Sequence, residues 1–143
     1  MVALRIARWG LLAVVFLATT GCREQDVPPD VPTAELGAEF TLAPGNTMRV
    51  DDDRVRVSFD KVSQDSRCPK DVDCVWEGDA TVIATVTVGS TPSRQELHSN
   101  RRLASAAIVD GYRIELKTLS PEPLSSQSIS PSDYRVALLV TRA

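Results

Sequence analysis

From Glu39 onward the chain alternates apolar and polar residues in short runs, and this confines it to one class of fold. Val55, Val57 and Phe59 are separated by Arg56 and Ser58 and flanked by Arg54 and Asp60. Tyr112, Ile114 and Leu116 alternate with Arg113, Glu115 and Lys117, and Tyr134, Val136, Leu138 and Val140 follow the same pattern around Arg135 and Thr141. Successive side chains of a strand point to opposite faces, so a period of two marks a strand with one face in a core and the other in water. Phe40 with Leu42 and Met48 with Val50 are shorter instances. Ala80–Val88 is rich in β-branched residues and forms the strongest strand, and Glu96, Leu97 and His98 form a short one.

Turn-forming residues separate these runs at Pro44-Gly45-Asn46, Gly89-Ser90-Thr91-Pro92 and Asp110-Gly111. About seven short strands in roughly 105 residues predict an all-β fold, a single small β-sandwich of immunoglobulin-like architecture over residues 39–143. Aromatic residues are only 5% of the chain, so Val, Leu and Ile carry most of its core. Arg101–Val109 is compatible with either a helical turn or an edge strand. Ser120–Asp133 is too long for a hairpin turn and predicts a crossing between the two sheets.

The first residues follow a different logic. Arg5 and Arg8 precede an apolar run, Trp9–Ala18, which is followed by Thr19, Thr20, Gly21 and Cys22. That is the order of an export signal over residues 1–21: positive, apolar, then small. The run is about half the roughly 20 apolar residues a membrane-crossing helix needs. Leu17–Cys22 resembles a lipobox, the site where bacteria attach diacylglycerol to a cysteine sulfur, with Thr19 standing where Leu is usual. Cysteine parity agrees. Of three cysteines, Cys68 and Cys74 pair with each other and leave Cys22 for the lipid. Arg23 follows, where Asp would signal inner-membrane retention, so the expected address is the outer membrane facing the periplasm if the organism has two membranes. Residues 22–38, the lipidated cysteine and a segment with Pro28, Pro29 and Pro32, read as a semi-rigid tether.

Exported proteins meet an oxidising compartment, where two nearby cysteines form a disulfide by default. Cys68 and Cys74 lie in Asp65–Gly78, DSRCPKDVDCVWEG. Closing so short a loop contributes about 2.4 kcal/mol on the chain-entropy account. A zinc site needs closer cysteine spacing and further ligands, and His98 is the sole histidine. No metal or other cofactor is expected. Trp76 is expected to pack beside the disulfide, as large aromatics do in sandwich domains. Gly78 permits a tight turn into the strand at Ala80. Arg67, Lys70, Asp71 and Trp76 form a candidate contact loop, because a loop made rigid in advance loses less entropy on binding.

The pattern Ser66, Arg67, Cys68, Pro69, Asp71, Val72, Cys74, Trp76 and Gly78, followed later by Gly111–Leu116, resembles an uncharacterised family of bacterial envelope lipoproteins. The resemblance implies a β-sandwich and an envelope address and carries no activity with it.

Other candidates are weaker. Asp51, Asp52 and Asp53 could contribute to a calcium site, but the spacing of a calcium loop is missing and a solvated turn accounts for them. His98 could act as a general base, yet no nucleophile elbow accompanies it. The formal net charge of −3 becomes more negative once Arg5 and Arg8 leave, which excludes a nucleic-acid partner held by counterion release. These readings point to a membrane-anchored, non-catalytic binding or scaffolding module with an envelope protein as partner. The alternatives are a protease inhibitor that inserts the Cys68–Cys74 loop and a small envelope hydrolase.

Overall fold

A computed structural model describes residues 30–143. The export signal, Cys22 and the first tether residues lie outside the described residues. The strands are β1 (Thr33–Ala34), β2 (Glu39–Leu42), β3 (Thr47–Val50), β4 (Val55–Asp65), β5 (Ala80–Val88), β6 (Thr91–His98), β7 (Ala106–Val109), β8 (Tyr112–Ser120) and β9 (Arg135–Arg142). One sheet has the order β1-β3-β4-β5-β6 and the other β2-β9-β8-β7. No described helix is long and apolar enough to cross a membrane.

The alternating runs become strands because each can bury every second side chain. Val55, Val57 and Phe59 of β4, Val82 and Val86 of β5, Ile114 of β8 and Val136, Leu138 and Val140 of β9 are fully buried between the sheets. Removing this apolar area from water is the main force holding the sheets together. The protein is thus a small all-β sandwich with one disulfide. β3 to β6 form one meander and β7 to β9 another, so the likeness to an immunoglobulin domain is one of layers, not of strand connectivity.

Nine strands stand where the alternation predicts about seven. The additional two are β1, only two residues long, and β7, whose residues AAIV are apolar throughout and so show no alternation. β7 settles the ambiguous stretch in favour of an edge strand. β1 corrects the expected tether boundary. Thr33 and Ala34 pair in parallel with Arg49 and Val50. The Arg49 backbone N–H donates to Pro32 O at 2.9 Å, its Nε donates to Val31 O at 3.0 Å, and its Nη2 reaches Asp30 at 2.9 Å. Gly37 N–H then donates to Val140 O of the second sheet at 2.8 Å. Residues 30–38 therefore belong to the folded unit.

Ser120–Asp133 is a second correction. It does not cross between sheets. It joins β8 to β9, which are antiparallel neighbours in one sheet. Its length serves another purpose, described below.

The sandwich has two dissimilar ends. One carries the turns Asp51–Arg54, Gly89–Ser90 and Asp110–Gly111. The other carries the segments 66–79, 99–105 and 121–134.

Candidate contact surface

Segment 66–79 continues the β4–β5 hairpin beyond the sheet. Ser66 N–H donates to Asp79 O at 2.7 Å and Cys68 N–H to Glu77 O at 2.9 Å, which form a narrow neck. Gly78 stands in that neck with φ +70°, and a Cβ there would lie 2.0 Å from Ser66 O. No side chain fits. Beyond the neck Cys68 and Cys74 are bridged, with Cα atoms 5.9 Å apart.

The loop is held at an angle by polar groups turned inward. The Arg67 guanidinium is largely buried, donating to both carboxylate oxygens of Asp65 at 2.9 and 2.7 Å, to Leu119 O at 2.7 Å and to Pro121 O at 2.9 Å. The Tyr134 hydroxyl also donates to Asp65, at 2.9 Å. Burial works against the charge on Asp65, but the hydrogen bonds from Arg67 and Tyr134 outweigh it and hold its carboxyl below the usual range. Asp71 accepts from the Ser125 hydroxyl at 2.5 Å and from its backbone N–H at 2.8 Å, which lowers its pKa. Lys70 N–H donates to Pro123 O at 3.1 Å. The long β8–β9 connection is therefore the buttress on which the disulfide loop leans.

This divides the candidate contact residues. Arg67 and Asp71 are committed to the buttress, whereas Lys70 and Trp76 face solvent. Trp76 corrects an expectation. It does not pack on the core beside the disulfide but is 69% exposed, since the loop projects past the sheets. Val75 is wholly exposed, Val72 44% and Leu103 48%. With Cys68, Cys74, Asp73, Glu77, Asn100 and Arg102 these four line one open groove of about 680 Å³. Of the five large hydrophobic residues exposed in the described part, four meet here.

The alternation could not reveal Val72, Val75 and Leu103, because they lie in irregular segments where period two has no meaning. Asn100 was also missed. It is buried, and its side-chain N–H₂ donates to Gly78 O at 2.9 Å while its Oδ1 accepts from Arg102 N–H at 3.0 Å. It ties the 99–105 turn to the neck, so Leu103 and Trp76 keep their spacing.

His98, the last residue of β6, does not line the groove. Its Nδ1 meets Asp79 Oδ2 at 2.6 Å. Asp79 Oδ1 accepts from the Asn100 N–H at 3.0 Å and from the Ser99 hydroxyl at 3.3 Å. Burial opposes ionisation of Asp79, and the His98 hydrogen bond with those other donors lowers its pKa regardless. The aspartate orients the imidazole, as in hydrolytic triads, but Ser99 bonds to the carboxylate and not to the imidazole.

At the other end, Asp51, Asp52 and Asp53 all have positive φ, between 52° and 65°, in the turn from β3 to β4. Asp tolerates this left-handed region better than most residues. Asp51 accepts from the Tyr112 hydroxyl at 2.5 Å and from Arg142 Nη2 at 2.6 Å, and Arg142 stacks 4.3 Å from the Tyr112 ring centre. Asp53 receives two hydrogen bonds from Arg56, at 2.8 and 2.7 Å. Two of the three candidate calcium ligands thus already have cationic partners, and no cluster of three potential metal-binding side chains occurs among the described residues. No protein-family model, curated protein or solved structure matches the chain.

Proposed function

We propose that this chain is a membrane-anchored envelope lipoprotein, acylated at Cys22, whose sandwich is a non-catalytic binding or scaffolding module. Its contact surface is the apolar cap formed by Val72, Val75, Trp76 and Leu103. The observation that carries the reading is the contrast between the cap and its support. Arg67, Asp65, Asp71 and Asn100 spend their hydrogen bonds on fixing the backbone, while the apolar side chains they support have nothing to bury against. Exposed apolar clusters of this kind mark interaction sites, and a loop braced in advance binds at lower entropic cost. The signal and lipobox supply the envelope address, facing the periplasm from the outer membrane in a two-membrane organism.

A photo-crosslinking residue at Val75 tests the reading in intact cells. It should form adducts, lipid or protein, whereas the same residue at Asp52 forms none. Adducts from Asp52 alone would place the contact surface at the wrong end. A second reading, a small hydrolase, is favoured by the Asp79–His98 pair. It predicts a hydrolytic activity in the purified protein that His98→Ala abolishes.

A further inference from the structure

The partner of the cap can be argued from where the described chain begins. β3 runs toward the three-aspartate turn, and β1 is parallel to it. The chain before β1 therefore arrives from the direction of the disulfide loop. Thr33 is level with Arg49, which is level with Arg56. Asp30 lies three residues nearer the loop end, while β4 continues to Asp65. At about 3.3 Å per residue the gap from Asp30 to the level of Asp65 is roughly 20 Å, and the neck as far as Cys68 adds about 10 Å. Eight residue steps separate Cys22 from Asp30, a reach of about 28 Å when extended.

We infer that the cap rests on the lipid surface of the very membrane that holds the anchor. The inference builds on the lipoprotein reading and names the partner of its contact surface. With residues 30–38 folded into the domain, eight residues and not seventeen, counted from Cys22, precede the folded unit, and the chain enters it from the side of the cap. The chemistry of the cap fits a bilayer. Val72, Val75 and Leu103 supply apolar side chains, and the amphipathic indole of Trp76 favours the boundary between headgroups and acyl chains. The charges around them are slightly acidic, with Lys70, Arg101 and Arg102 against Asp71, Asp73, Glu77 and Glu122, so apolar insertion, not attraction to anionic lipid, drives the contact. Among the described residues the far end offers no comparable apolar cluster, and its Asp51 and Asp53 are occupied by Arg142 and Arg56. Four side chains would bind a membrane weakly by themselves. An anchor on the same chain makes the contact intramolecular, at an effective concentration in the millimolar range.

Trp9 falls in the export signal, so Trp76 is the one tryptophan of the acylated protein and its emission reports on the cap alone. The acylated protein is reconstituted into vesicles of phosphatidylethanolamine and phosphatidylglycerol, with or without brominated acyl chains. Trp76 emission should shift to shorter wavelength relative to a soluble Cys22→Ser chain, and brominated lipid should quench it at least twofold. Val75→Asp with Leu103→Asp should abolish the quenching without detaching the protein, and Asp52→Lys should change neither. Protein that floats with the vesicles while Trp76 keeps water-exposed, unquenched emission overturns the inference and leaves the anchor standing. An emission shift that requires added envelope protein overturns it in favour of a protein partner. If the intact mass shows no lipid on Cys22, the anchor reading fails separately. The Cys22→Ser chain mixed with the same vesicles at millimolar lipid, the effective concentration an anchor would give, then decides: quenching that the Val75 and Leu103 changes remove supports the contact, and its absence overturns it.

Discussion

The two ends of the sandwich use charge in opposite ways. At the aspartate end, acids and bases lie on short turns and pair with one another near the surface. Asp53 meets Arg56, and Asp51 meets Tyr112 and Arg142. These contacts close the ends of strands and leave little apolar surface. At the disulfide end Arg67, Asp65 and Asp79 are turned inward onto backbone groups and their partners, and apolar side chains are lifted outward. The difference shows that polar residues do not by themselves make a surface inert. What matters is whether their hydrogen bonds close a turn or hold up something else.

Three experiments sharpen or break this contrast. The largest effect is expected at Gly78. Gly78→Ala forces a Cβ against Ser66 O, and the loss should be about 3 to 5 kcal/mol in chemical denaturation. Gly89→Ala at the aspartate end, also at positive φ but with nothing within 4 Å, should cost about 1 kcal/mol. Equal losses would mean the neck is no tighter than an ordinary turn. Next comes Arg67→Ala, which strands the largely buried Asp65 carboxylate and two carbonyls and should cost about 3 kcal/mol. Arg142→Ala, on a half-exposed side chain, should stay below about 1 kcal/mol. Comparable values would erase the distinction between bracing and surface pairing.

The smallest effect concerns acid. Asp65 and Asp79 have folded-state pKa values below their unfolded ones. Their contribution is complete above the unfolded value near pH 4 and is lost as pH falls through the lowered folded values. A melting temperature that holds steady above about pH 5 and drops below about pH 4 is expected. Asp65→Asn should be less stable at neutral pH by about 1 to 2 kcal/mol and show a shallower acid drop. A variant with an undiminished drop would move the acid sensitivity to Asp79, or to Asp51 and Asp53, whose pKa values are also lowered.

Much of the architecture could be read from the chain because burial between two sheets imposes a period, and most strands were visible, although the largely polar β6 showed only at Glu96–His98 and its Thr91 and Pro92 read as a turn. β1 and β7 were not, being held by neighbours rather than by their own pattern. The disulfide followed from cysteine count and compartment. The position of Trp76 did not follow, because whether an aromatic packs or projects depends on how far its hairpin overruns the sheet. That overrun is set by Arg67 reaching Leu119 and Pro121, residues more than fifty positions away. The cap is likewise a meeting of two segments, 72–76 and 103, brought together by Asn100.

β1 also has a mechanical side. A pull on the chain at Asp30 toward the disulfide end runs along the strand axis, so the bonds from Arg49 to Pro32, Val31 and Asp30 are strained together in shear and do not peel one by one. Once they yield, the next restraint is Gly37 on Val140. Residues 30–36 then yield the length taken up by the turn at Leu36 and Gly37, since β1 already lies extended along the pull. Only the partly buried Ala34 and Leu36 leave the core, and the buried strands of both sheets stay intact. The short parallel strand is a mechanical fuse: under load the domain gains length before it loses its fold.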